Sequence, residues 1–98
     1  MLERDEIIRI VREVAIANLT AKIVQNVIIE PATDSQGQEA LRITVVIPPG
    51  TAEKIDGDAV LDTLVQVQRR LRQAGEERFP IVEYATQEEL EDVGDSES

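Results

Sequence analysis

The run Leu41-Arg42-Ile43-Thr44-Val45-Val46-Ile47 is the clearest alternation in the chain, and Pro48-Pro49-Gly50 closes it. Period-two alternation marks a strand with one buried face, and prolines, which donate no ladder hydrogen bond, mark its end. Such a strand needs a partner beside it and a layer over it. The upstream sequence offers the partner. From Ala21 the pattern turns β-branched, with Ile23, Val27 and Ile29 on one side and Val24 and Ile28 on the other, as far as Pro31. The turn formers between Pro31 and Gln38 then predict a long hairpin loop.

Two helical stripes offer the layer. Ile7, Val11, Val14 and Asn18, broadened by Ile8, Ile10 and Ala15, predict a helix over about Glu3 to Asn18. Asp5, Arg9 and Glu13 follow one another at i,i+4 on its charged side. Val60, Leu64, Val67 and Leu71, flanked by Leu61 and Val65, predict a second helix over about Asp58 to Ala74. Asp56 or Asp58 caps its start, Gly75 takes the left-handed position after its end, and Arg69, Arg70 and Arg72 complement its dipole. A third strand follows from Phe79 to Ala85, and Pro80 assigns it to an edge or places the proline among its first residues. Thr86-Gln87-Glu88-Glu89 reads as a capping box for a last helical turn through Leu90 or Val93.

The order α-β-β-α-β specifies an α+β fold, a two-layer sandwich of a three-stranded sheet with both helices on one face. The crossover helix sets the third strand parallel to the second. On this reading Leu41, Ile43, Val45, Ile47, Ile23, Val27 and Ile29 face the helices. Arg42, Thr44, Val46, Lys22, Val24, Asn26 and Ile28 face away. Residues 1–93 are expected to form a single domain, with 94–98 a disordered acidic tail.

Composition removes many functions. The chain of 98 residues has neither cysteine nor histidine. It therefore lacks the side chains for disulfides, zinc ribbons, Fe–S scaffolds and Ser-His or Cys-His nucleophiles, and no metal or organic cofactor is expected. The N-terminus mixes charges where a signal peptide would be basic and then apolar, and no segment approaches a membrane span, so a cytoplasmic protein is expected. Twenty acids against ten bases give a net charge of −10, which disfavours nucleic acid and anionic membranes. Six of those acids lie after Ala85, leaving residues 1–85 with 14 acids against 10 bases, a net −4.

Asp56, Asp58 and Asp62 could in principle hold a cation, but acids at a helix N-terminus need no ion, and EF-hand spacing is absent. Pro48 to Lys54 joins a strand to a helix without the glycine pattern of a phosphate loop. Arg69, Arg70, Arg72 and Arg78 form the one basic cluster, a candidate patch for an anion or an acidic partner. Val24, Ile28 and Val46 interrupt the polar outer sheet face and are the candidate interface. With two aromatic rings, Phe79 and Tyr84, and no catalytic motif, enzymatic activity is not expected.

The element order resembles that of ribosome-binding factor A, a variant KH fold, and that of small NifU-like Fe–S scaffold domains. The first resemblance implies an RNA- or ribosome-associated factor, although no Gly-x-x-Gly loop is present; the second implies cysteine ligands that this chain lacks. The residues themselves favour a protein-interaction module, the acidic partner or regulator of a more basic protein or a self-associating chain.

Overall fold

A computed structural model describes residues 2–95, and side chains from residue 2 to residue 91. Helix α1 spans Arg4–Leu19, strands β1 and β2 span Asn26–Thr33 and Glu39–Val46, and helix α2 spans Gly57–Gln73 after a short 3-10 turn at Ala52–Lys54. Strand β3, Phe79–Ala85, and helix α3, Gln87–Asp95, follow. The sheet order is β1-β2-β3, with β1 antiparallel and β3 parallel to the central β2. The α+β sandwich and the parallel third strand inferred from the sequence are both present, and β3 is indeed an edge.

Both helices pack on one face of the sheet. Ile7, Ile10, Val11, Val14, Ala15 and Leu19 of α1 join Val67 and Leu71 of α2 over Val27, Ile29, Leu41, Ile43, Val45 and Ile47. The ends of α2 follow from its sequence. Asp56 Oδ1 accepts from Asp58 N at 3.1 Å, and Gly75, at φ 104°, lets its own N–H reach Arg72 O while Glu76 N–H reaches Leu71 O. That pair of bonds is the Schellman closure, which needs the positive φ that glycine adopts without strain.

The first strand departs from the expected one at both ends. Thr20 ends α1 at φ 81°, and the N–H groups of Ile23 and Val24 both bond its carbonyl, so the chain is still turning where the pattern predicts strand. Alternation therefore starts five residues after Ala21, and its phase no longer reaches back to Val24. Val24 is 7% exposed within the helix-side core, not on the outer face. Pro31 does not end β1 either; it pairs opposite Leu41. An edge strand turns alternate N–H groups away from the sheet, which is where a proline fits.

Helix α2 departs in its rotation. Its buried residues are Thr63, Val67 and Leu71, spaced four apart, and Leu64 is only half-buried. Thr63 is accommodated because its hydroxyl donates to Ala59 O at 2.7 Å. Leu61 and Val65 are left 58% and 41% exposed.

The capping box before α3 is made in full: Glu89 N–H donates to Thr86 Oγ1 at 3.1 Å and Thr86 N–H to Glu89 Oε1 at 2.9 Å. The helix then runs on to Asp95, beyond the single turn expected, so Gly94 and Asp95 are helical. The remainder of the expected acidic tail, 96–98, lies outside the described residues.

Candidate functional site

The outer sheet face is less apolar than its sequence suggests. By register it presents rows of Asn26, Val46 and Ala85; Ile28, Thr44 and Glu83; Glu30, Arg42 and Ile81; and Ala32, Ala40 and Phe79. Glu83 binds its middle together, 3.6 Å from Arg42 Nε and accepting from Thr44 Oγ1 at 3.4 Å. Of the three candidate interface residues, Val24 belongs to the core, and Val46 faces outward but is 1% exposed. Ile28 alone offers partial surface.

The arginine cluster is divided by the geometry of α2. Arg70 turns toward α1, where its Nη2 donates to Glu13 Oε2 at 3.0 Å, one turn from the hydrogen bond between Asn18 Nδ2 and Gln66 Oε1. The Arg70 hydrogen bond holds the Glu13 carboxyl below the usual carboxylate range against some desolvation, and Arg9, 3.1 Å away, adds to the effect. Arg78 is tied down more firmly. Its Nε and backbone N–H both donate to Glu76 Oε2, at 2.8 and 3.0 Å, and its Nη2 donates to Oε1 at 3.1 Å. Glu76 also accepts from Leu2 N at 3.1 Å, and its side chain has no exposed area. The Arg78 hydrogen bonds outweigh desolvation and lower the Glu76 pKa to about 2.

Arg69 and Arg72 make no ion pair among the described residues. They lie on the side of α2 away from Gln66 and Arg70, and with Val65, Gln68 and Gln73 they line an open groove of about 330 Å³. Gln68 and Arg72 also line a smaller neighbouring groove of about 60 Å³ with Leu71, Phe79 and Pro80. A single band of surface therefore runs from Val65 over Arg69 and Arg72 to the start of β3. Phe79 there is 52% exposed.

The sequence pattern did not reveal this band, because Leu61, Leu64 and Val65 read as core residues of a wide helical stripe. The usable signal is the width itself. Apolar residues cover more of α2 than one sheet and one neighbouring helix can bury.

The N-terminal acids of α2 act as helix caps and dipole partners. Among the described residues no group of three or more potential metal-ligating side chains comes together, and no helix is long and apolar enough to cross a membrane. No family model matches the chain, and comparison with curated proteins and with solved structures finds no match.

Proposed function

We propose that this chain is a protein-interaction module that docks through the side of α2 turned away from α1, with the β3 edge beside it. One observation carries the reading. Leu61, Val65 and Phe79 are the exposed large hydrophobics among the described residues, and all three belong to α2 and to the adjoining start of β3. Scattered aliphatics on a surface need no explanation, whereas apolar groups gathered along one band and rimmed by polar side chains mark contact surfaces. The β3 edge adds unpaired backbone groups after Pro80, the kind of edge that a partner strand can extend.

This reading keeps the interaction module expected from the sequence and moves its surface from the outer sheet face to the α2 flank. The RNA-associated alternative has less support, since Glu13 and Glu76 neutralise two of its four arginines. A benzophenone amino acid at position 65, with position 6 on the exposed side of α1 as control, tests the reading in cells expressing the full chain. A covalent protein adduct specific to position 65 is expected. Equal labelling at both positions, or none, rejects the α2 flank as a docking surface.

A further inference from the structure

The charges along the outward side of α2 are segregated by sign, in the order that also complements the helix dipole. Asp58 and Asp62 stand toward the N-terminal end and Arg69 and Arg72 toward the C-terminal end, with Leu61 and Val65 beside and between them. None of these charges has an oppositely charged neighbour three or four residues away within α2, the spacing at which helical ion pairs form. In α1, by contrast, Arg9 and Glu13 make such a pair at 3.1 Å.

We infer that the occupant of this surface is a second copy of the chain, related by a two-fold axis that sets α2 antiparallel to its counterpart and crosses near Val65. Asp58 and Arg72 lie equally far on either side of Val65, about two helical turns each way. Reversal about that centre brings Asp58 of each chain opposite Arg72 of the other, and Leu61 opposite the aliphatic stem of Arg69. Val65 meets its own copy at the axis. No like charges are opposed. A two-fold contact must be self-complementary, and a face that is acidic at one end, aliphatic in the middle and basic at the other meets that condition. A partner of one charge sign would match only half of it.

The fold leaves room for this contact. Two helices about 10 Å in diameter, packed about 8–10 Å apart, cover roughly 18–20 Å, while three strands about 4.8 Å apart cover roughly 14 Å, so the helix layer is wider than the sheet beneath it. The flank of α2 remote from α1 is the part left without a neighbour. A second α2 in that position covers Val65 and Leu61 and brings the two β3 edges toward each other. The net charge of −10 on each chain opposes association at long range. Salt screens that repulsion beyond about 8 Å at physiological strength, so the contact pairs decide the outcome.

This inference rests on the α2 flank being a docking surface, and sedimentation velocity on the full chain tests it separately from that reading. The expected species at about 100 μM chain has twice the 10.9 kDa chain mass. Val65→Asp, at an exposed position, is expected to give monomer with an unchanged far-UV circular dichroism spectrum. Asp58→Arg and Arg72→Asp are each expected to weaken the dimer about tenfold or more, and the two together to restore it, because the swapped charges meet again across the axis. A wild-type monomer at that concentration overturns the second-copy inference, while an adduct from position 65 to a different protein would leave the docking surface standing. A dimer that survives Val65→Asp, or a charge swap without rescue, also overturns the inference.

Discussion

Arg78 Nε donates to Glu76 Oε2 at 2.8 Å across one intervening residue, and the same carboxylate reaches back to the N–H of Leu2. Glu76 thereby fastens the N-terminal segment to the α2–β3 junction from a position with no exposed side-chain area. Its pKa is lowered from 4.5 to about 2, so the pair contributes stability that is complete above pH 4.5 and is lost as pH falls toward 2. The carboxylate lies close to the surface although its neighbours cover it, so only part of the full linkage energy is expected. Glu76→Gln should cost about 1–3 kcal/mol at pH 7. That difference from wild type should shrink steadily between pH 4.5 and 2, as urea unfolding at each pH will show; a constant difference contradicts the assignment.

The rotation of α2 makes a sharper test than its existence. Leu71 is 1% exposed and Leu64 half-buried, although both occupy the stripe read from the sequence. Leu71→Ala should cost about 2–5 kcal/mol, and Leu64→Ala about 1 kcal/mol or less. Equal denaturation midpoints for the two variants would mean that α2 is rotated back toward Leu64.

Two helix ends take positive φ with different residues. Gly75 adopts φ 104° at no steric cost, whereas Thr20 holds φ 81° despite its β-branched side chain. Gly75→Ala should destabilise by roughly 1–2 kcal/mol, and Thr20→Gly should stabilise by up to about 1 kcal/mol. Thermal unfolding midpoints moving in opposite directions would bear this out; a loss of stability in Thr20→Gly would not.

Tyr84 is the chain's one tyrosine, so its phenolate absorbance reports a single site. Burial raises its pKa above 10, with the Thr63 hydroxyl acting in the opposite direction. Its buried hydroxyl has no hydrogen bond of normal geometry among the described residues. In the folded chain its titration should be displaced to higher pH than in the unfolded chain, and the stability that its neutral form contributes should be lost as pH rises through the folded-state value. Tyr84→Phe should change stability by no more than about 0.5 kcal/mol at pH 7, because no bond is broken. A spectrophotometric titration identical to that of the unfolded chain would show that Tyr84 is not buried.

The sequence alone determined whatever depends on neighbours within a few positions. Asp56 before α2, Gly75 after it and the Thr86–Glu89 box are local hydrogen-bond solutions, and each was legible because its donors and acceptors lie within one turn. The order of elements and the parallel β3 followed in the same way from two periodicities and the handedness of a crossover. What depends on contacts between distant segments was decided only by the tertiary structure. Val24 entered the core because the turn at Thr20 delays the start of β1 to Asn26, so that the strand's alternation does not govern Val24. Thr63 and not Leu64 is buried in the rotation at which α2 packs on the sheet and on α1, where Gln66 meets Asn18 and Arg70 meets Glu13. Arg70 left the basic cluster because it met Glu13 of α1, a carboxylate that its spacing in the chain could not identify, whereas Arg78 was taken by Glu76, only two residues before it. Leu61 and Val65 became surface for the same physical reason: an apolar stripe states what a helix can bury, and only the packed neighbours determine how much of it they cover.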